Sequence, residues 1–217
     1  MWQQWFWYRI GPTGPEAPIN KLGDLQYAMS QLPRDSNCTS LALYYFNSTM
    51  EVDINFRLVG GTPGSGRSDL SETIAIRNYG NTTLDFHFFQ YCDFDLNGTW
   101  LDANAAILGG NTAQQNDVLG GHVSETVVTP RPSHYQAAFW DSGILASLED
   151  GGTTTLTDEA GPVGPGDLTW AFQWDFSIPA GGSVIISKDK SIVPEPATMI
   201  LLAGGAVSLL LRRRRAK

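Results

Sequence analysis

The feature that most limits the fold of this chain is a repeated alternation of apolar and polar residues. It is clearest in two runs, which carry apolar side chains at Val52, Ile54, Phe56 and Leu58 and at Trp170, Phe172, Trp174 and Phe176. Successive side chains of a β-strand point to opposite faces of its sheet, so this period indicates strands with one buried and one solvated face. The sequence therefore predicts a mostly β protein built from antiparallel sheet.

Similar short runs, separated by glycine and proline, follow one another along the chain. We expect strands at 2–10, 40–47, 50–59, 71–78, 84–94, 123–129, 135–140, 168–178 and 182–189. Many short strands joined by turns are typical of a β-sandwich, of jelly-roll or immunoglobulin-like type, which we place at residues 1–190. Helix is expected only at 21–32, where apolar residues have loose helical spacing, and near the C-terminus.

The charge of the chain is distributed unevenly. Its 217 residues include 14 basic and 22 acidic side chains, a formal net charge of −8, and a cluster of basic residues stands at the very end. The remainder is therefore more acidic than the net value indicates. An acidic surface repels phosphate backbones, so we expect no nucleic-acid partner.

The C-terminal segment, VPEPATMILLAGGAVSLLLRRRRAK, has the composition of a membrane anchor. Residues 197–211 are uncharged and apolar nearly all round, which argues against an amphipathic surface helix. As a helix they would span about 22 Å, less than the roughly 30 Å of a bilayer's hydrocarbon core. The arginines that follow would hold the C-terminus on the cytoplasmic side. The sequence thus predicts a short transmembrane helix, with the β-domain on the extracytoplasmic side.

This segment resembles the PEP-CTERM sorting signal of Gram-negative bacteria that produce exopolysaccharide. The resemblance covers residues 191–217 and has three parts in a fixed order. These are a recognition motif of Val193, Pro194, Glu195, Pro196, Ala197 and Thr198, the short apolar helix, and a cluster of Arg212, Arg213, Arg214 and Arg215. The two prolines favour an extended backbone, which suits presentation to a protease cleft.

The resemblance implies a partner enzyme and a route. An exosortase, a membrane-embedded cysteine enzyme, is expected to recognise 193–198 and cleave near it. The protein would first be held in the membrane and then reach the cell surface or the medium. An uncleaved tail-anchored membrane protein is the alternative for the same segment.

Export also requires an N-terminal signal, and residues 1–16 do not have the pattern of one. They contain no basic region, no aliphatic core and no small-residue cleavage site. The aromatic residues at 2–10 instead indicate a first strand. We therefore expect the open reading frame to extend upstream into a signal peptide.

The best candidate for local chemistry lies at residues 93–104. Asp93, Asp95 and Asn97 have the spacing by which alternate oxygen-bearing side chains meet on a calcium ion, and Gly98 permits the sharp turn. The glutamate that closes an EF-hand loop is missing. A calcium site here would need another ligand, for which Asp102 is the candidate.

A purely structural interpretation of the same residues is a β-hairpin. The pair Asn97-Gly98 is a strong turn signal between apolar and polar alternation. In that arrangement the two aspartates lie on the solvated face, whereas Phe94 and Leu96 are buried. The sequence leaves both alternatives open.

Cys38 and Cys92 are the two cysteines of the chain. They could form one disulfide if the domain folds outside the cytoplasm. Spacing alone does not determine whether they pair.

The sequence contains no motif that defines a catalytic site. There is no G-x-S-x-G nucleophile elbow, and the three histidines do not have metal-ligand spacing. We therefore expect a non-enzymatic surface or matrix protein, without a cofactor except calcium, that meets extracellular polysaccharide, as in a biofilm. The alternative is a secreted carbohydrate-active enzyme, whose two carboxylates need not be close in sequence.

Overall fold

The computed structural model describes residues 3–31 and 38–194. Within these ranges the chain forms fourteen strands, three short 3-10 turns and one short α-helix, α1 (Ile144–Glu149). In chain order the strands are β1 (Gln3–Ile10), β2 (Ala17–Pro18), β3 (Asp24–Gln31), β4 (Cys38–Phe46), β5 (Met50–Gly60), β6 (Ser68–Asn78), β7 (Leu84–Asp93), β8 (Ala103–Leu108), β9 (Thr112–Asn116), β10 (Gly121–Thr129), β11 (His134–Phe139), β12 (Val163–Gly166), β13 (Leu168–Ile178) and β14 (Ser183–Pro194).

The strands form two antiparallel sheets that pack face to face. The smaller sheet has five strands in the order β11-β13-β7-β1-β2, and the larger has nine in the order β12-β8-β9-β10-β14-β6-β5-β4-β3. The prediction of a mostly β protein with two antiparallel sheets and little helix is confirmed. Each of the nine predicted strands coincides with a strand of the structure.

The main hydrophobic core lies between the sheets. Phe86 and Phe88 of β7 and Trp174 of β13 meet Ile54 and Ile74 of the larger sheet, and all five are fully buried. These are positions of the alternating runs, so the period-two pattern positions them correctly on the inner faces.

The smaller sheet is also covered on its outer face. Trp7, Phe89 and Ala171 pack there in a second cluster with Ile144 and Leu148 of α1. Strands buried on both faces are apolar at consecutive positions, which explains the unbroken aromatic runs of β1 and β7.

One fold prediction is wrong. The segment expected to be helical, 21–32, contains β3, the edge strand of the larger sheet, which pairs with β4. Leu25, Tyr27 and Met29 recur at every second position of this segment, and that strand period outweighs the loose helical spacing. The described residues form fourteen strands, compared with eight in a jelly roll and seven to nine in an immunoglobulin-like sandwich.

The last described strand extends beyond the predicted domain boundary. β14 continues to Pro194 and lies between β10 and β6 in the interior of the larger sheet. No helix in 3–31 or 38–194 is long and apolar enough to cross a membrane. The helix predicted at 197–211 lies outside the described residues.

Candidate functional site

Three aspartates meet where the smaller sheet ends. Asp93 is the last residue of β7, Asp95 follows it by two positions, and Asp167 directly precedes β13. Asp93 and Thr169 are directly opposite each other in the pairing of β7 with β13, which brings Asp167 alongside. One carboxylate oxygen of each aspartate lies within 4.8 Å of the other two. The arrangement is a cluster of oxygen ligands of the kind that hard cations prefer.

Asp93 is the buried member of this cluster. Its side chain is 3% exposed, and its Oδ1 has no hydrogen-bond partner within the described ranges. Burial and the nearby carboxylates of Asp167 and Asp95 raise the pKa of Asp93 to about 7. Burial together with Asp95 and Asp141 also raises the pKa of Asp167. A cation between the carboxylates would relieve both the repulsion and the missing contact.

Two tryptophans stand beside the carboxylates. Trp100 and Trp140 line the same cavity of about 280 Å³ as the three aspartates. The backbone amide of Trp140 donates to the Asp167 carbonyl at 2.9 Å, which fixes the loop that carries this ring. Both rings are more than half exposed. We call this set of three aspartates and two tryptophans the acidic cleft.

The structure places the other two predicted calcium ligands elsewhere. Asn97 Nδ2 donates to Asp117 Oδ2 at 2.8 Å, and Asp102 Oδ1 accepts from Thr99 Oγ1 at 2.6 Å. Asp167 takes the third position of the cluster. It is distant in sequence and has no local motif, so only the pairing of β7 with β13 could have revealed it.

The hairpin interpretation of this segment is wrong. A 3-10 turn at Leu96–Gly98 follows β7 in the smaller sheet, and the chain then enters β8 in the larger sheet. Asn97 and Gly98 adopt the positive φ angles that their sequence indicates, but the turn connects two sheets. Phe94 and Leu96 are buried as expected, whereas Asp93 is buried against expectation.

The disulfide considered for the two cysteines is not formed. Cys92 is a free thiol on the inner face of β7 and is fully buried. Cys38 begins β4, where it is paired with Val59 of β5 in the larger sheet.

The sorting motif begins inside the larger sheet. Val193 pairs with His122 and Pro194 with Gly121, both of β10. The remaining predicted recognition residues, Glu195 to Thr198, and the four arginines lie outside the described residues.

Comparison with known proteins identifies this C-terminal segment. The family model of the PEP-CTERM protein-sorting motif matches residues 193–215. The chain therefore carries a PEP-CTERM protein-sorting motif at its C-terminal end. The motif implies export, C-terminal sorting and processing by an exosortase-type machinery. No curated protein sequence matches the chain.

Solved structures with a similar arrangement include two proteins named for carbohydrate chemistry. One is titled "Putative kojibiose phosphorylase from human microbiome", with 8% identity over 87% of this chain and a TM-score of 0.49. The other is a "Putative aldose 1-epimerase" from Escherichia coli K12, with 10% identity over 80% of this chain and a TM-score of 0.46. The match covers 21% of the first protein and 69% of the second. At these values neither likeness bears on the activity of this chain.

Proposed function

We propose that this protein is an exported, non-enzymatic surface or matrix protein that an exosortase cleaves near residues 193–198. Its β-sandwich binds a calcium ion and extracellular polysaccharide in the acidic cleft. The observation that carries the binding role is the convergence of three carboxylates, one of them buried with an unpartnered oxygen, beside two exposed tryptophans.

The spacing of the carboxylates fits calcium. Calcium binds oxygen at 2.3–2.6 Å, so two oxygens that share one ion lie at most about 5 Å apart. The oxygens of Asp93, Asp95 and Asp167 lie within 4.8 Å of one another. Calcium takes six to eight oxygen ligands, so this cluster leaves positions for water or for the hydroxyls of a bound sugar.

The tryptophans supply the complementary surface. A sugar ring has an apolar face of C–H groups and a rim of hydroxyls, and a Trp ring offers a large flat apolar surface to the former. Trp100 and Trp140 are 55% and 53% exposed, a large fraction for residues of this size in a folded domain. Carboxylates beside them are suitable acceptors for the hydroxyl rim.

Binding is favoured over glycoside hydrolysis by the same distances. A retaining glycosidase holds its two carboxyl groups about 5–5.5 Å apart and an inverting one about 6.5–9.5 Å apart, with the sugar between them. In the cleft, one oxygen of each of three aspartates lies within 4.8 Å of the other two, so all three can ligate a single cation.

Thermal unfolding of the full chain in detergent tests the ion site. Millimolar calcium after chelation is expected to raise Tm by about 2–4 °C, and Asp167→Asn is expected to remove most of the rise. Asp150→Asn, in an exposed loop outside the cleft, is the matched control and keeps it. Absence of a calcium effect on the unaltered chain, or release of sugar from polysaccharide that Asp93→Asn abolishes, would contradict the proposal.

Mass spectrometry of the protein from its native host tests the sorting role. The mature protein is expected to lack the C-terminal peptide. Replacing Pro194, Glu195 and Pro196 together by alanine is expected to cause the full-length form to accumulate. Mature chains that still end in Lys217 would reject cleavage without affecting the ion site.

A further inference from the structure

Four charged side chains are sealed between the two sheets. Glu72 of β6, Glu125 of β10, and Lys188 and Lys190 of β14 all point inwards, and each is at most 2% exposed. Lys188 Nζ lies 2.6 Å from Glu72 Oε2 and 3.2 Å from Glu125 Oε1. Lys190 Nζ lies 3.0 Å from Glu125 Oε2 and 3.5 Å from Glu72 Oε1. We call these four residues the charge cluster.

Gln90 of β7 enters this cluster from the opposite sheet. It is fully buried, and its Nε2 donates to Glu125 Oε1 at 2.7 Å. Lys188 Nζ donates to Oε1 of the same amide. A single oxygen of Glu125 therefore contacts both the amine of Lys188 and the amide nitrogen of Gln90, while the amine contacts the amide carbonyl.

The surroundings of these three groups exclude water. Lys188 Nζ lies 5.2 Å from the ring centroid of Phe6, which packs in the main core. Burial opposes the charge of Glu125, but the ammonium groups of Lys188 and Lys190 outweigh it and lower the pKa of this carboxyl to about 2. Glu125 is thus an ionised carboxylate whose Oε1 lies 3.2 Å from the primary amine of Lys188.

We propose that Lys188 and Gln90 join in an intramolecular isopeptide bond, with Glu125 as the group that moves the protons. The juxtaposition that supports it is an amine, a carboxamide and one carboxylate oxygen in mutual contact in a dry core. Gln90 Cδ, the carbon to be attacked, is one bond of about 1.2 Å from the oxygen that Nζ contacts.

The reaction balances without any external reagent. Glu125 accepts one proton from the Lys188 ammonium, and the freed lone pair on Nζ attacks Gln90 Cδ and forms the new C–N bond. A second proton passes from that nitrogen through Glu125 to Nε2. The Cδ–Nε2 bond then breaks, ammonia leaves, and Glu125 retains one proton.

Burial of the charge cluster favours the amide product of this reaction over the free amine and carboxamide. The starting cluster holds two ammonium and two carboxylate groups, and the product holds one of each. Buried charges carry a desolvation cost even when they are paired, so removing two of them favours the amide. Escape of ammonia into the solvent makes the step effectively irreversible.

Two neighbouring groups are less suitable partners. Gln4 has the same relation to Lys190 and Glu72, but it lies on a half-exposed part of β1, where water competes. Cys92 lies 3.1 Å from Gln90 Nε2, but burial raises the pKa of its thiol, so the thiolate needed for attack is disfavoured. Lys188 and Gln90 are the fully buried pair.

Such a bond would join β14 of the larger sheet to β7 of the smaller one. Cys92 is a free thiol, and a Lys188–Gln90 link would supply the covalent connection between sheets that a disulfide provides in many exported domains. It would also tie the strand that leads into the sorting motif to the opposite face of the core.

Intact mass spectrometry of the full chain, purified in detergent and then denatured, tests the bond directly. The unaltered protein is expected to be lighter than its calculated mass by one ammonia, about 17 Da. Digestion should yield a branched peptide that contains both Lys188 and Gln90. Glu125→Gln keeps the shape of the side chain but not its basicity, and should restore the calculated mass.

An independent control is needed, because succinimide formation at Asn97-Gly98 also removes one ammonia. That product is linear and does not depend on Glu125, so the branched peptide distinguishes the two. A folded, unaltered chain at its calculated mass would overturn the proposal. So would a cross-link that joins Lys190 to Gln4 in place of Lys188 to Gln90.

Discussion

Val193, the first residue of the sorting motif, pairs with His122 in the antiparallel ladder between β14 and β10. The folded domain and the signal therefore share residues and are not separated by a linker. An exosortase that binds residues 193–198 in extended form, as proposed, would compete with β10 for the backbone of Val193 and Pro194. We therefore expect the rate of processing to depend on the pairing of β14 with β10.

A flexible spacer between Ile192 and Val193 should accelerate processing. Six glycine and serine residues there would free the motif from β10, and one ladder hydrogen bond of about 1 kcal/mol corresponds to a roughly fivefold faster cleavage. The rate would be measured in the native host as loss of the C-terminal peptide. The same spacer placed between Gly151 and Gly152, in an exposed loop, should leave the rate unchanged. Unchanged cleavage in both variants would show that the overlap has no effect.

Loss of either cleft tryptophan should weaken polysaccharide binding without unfolding the domain. Trp100→Ala and Trp140→Ala are each expected to raise Kd about tenfold, which corresponds to one stacking contact of about 1.4 kcal/mol. Binding of purified host exopolysaccharide would be measured by calorimetry. Tyr27→Ala removes an aromatic ring that is 73% exposed on β3, far along the larger sheet, and should have no effect. Equal loss in all three variants would disprove a specific role for the cleft.

Asp93→Asn should stabilise the calcium-free protein at alkaline pH but not near pH 4. The pKa of Asp93 rises from 3.8 to about 7 on folding, so between these values the unfolded state releases a proton that the folded state keeps. Stability therefore falls as pH rises from about 4 to about 7 and then stays low. The full penalty is at most about 4 kcal/mol, and the variant avoids it. Urea unfolding in chelator at both pH values would measure this, with exposed Asp24→Asn as the control.

Lys190→Met should destabilise the domain, and adding Glu72→Gln should recover part of the loss. The single variant leaves the charge cluster with one more buried carboxylate than ammonium groups, whether or not Lys188 is joined to Gln90, at a cost of about 3–5 kcal/mol. The double variant removes that carboxylate and restores the charge balance. Urea unfolding of both would be compared at neutral pH. If the two substitutions reduce the free energy of unfolding additively in the double variant, charge balance is not the cause of the loss.

The thiol of Cys92 should be inert in the folded protein. In a Cys38→Ser variant it is the only thiol, and it is fully buried with its pKa raised by burial. A water-soluble disulfide reagent should react with it only after unfolding in denaturant. Rapid reaction under native conditions would contradict the position of Cys92 between the sheets.

Much of the fold could be predicted because local alternation and burial agree. At Trp170, Phe172 and Trp174 every second residue is apolar and faces the core, so the pattern alone identifies both strand and face. The helix assigned to 21–32 was wrong because the apolar residues of β3 satisfy a strand period and a loose helical one. Propensity cannot separate the two where an edge strand leaves its side chains exposed.

The functional residues were harder to predict because they depend on strand pairing. Asp93 and Asp95 are close in sequence, but Asp167 joins them only through the register of β7 against β13. The charge cluster is difficult to predict for the same reason. Ile186, Lys188 and Lys190 occupy one face of β14, yet a lysine in an alternating run ordinarily indicates the solvated side. The lysines can be buried because Glu72 of β6 and Glu125 of β10 lie beside them in the same sheet and balance their charge.

The position of β14 also determines how the domain responds to force. A pull on the chain beyond Pro194 acts along a strand that is paired on both sides, with β10 and with β6. The hydrogen bonds of an antiparallel ladder are perpendicular to the strand, so such a pull shears many of them together and does not open them one at a time. If its C-terminus is held at a surface, the sandwich is therefore loaded in a direction that the ladders of β14 resist by shear.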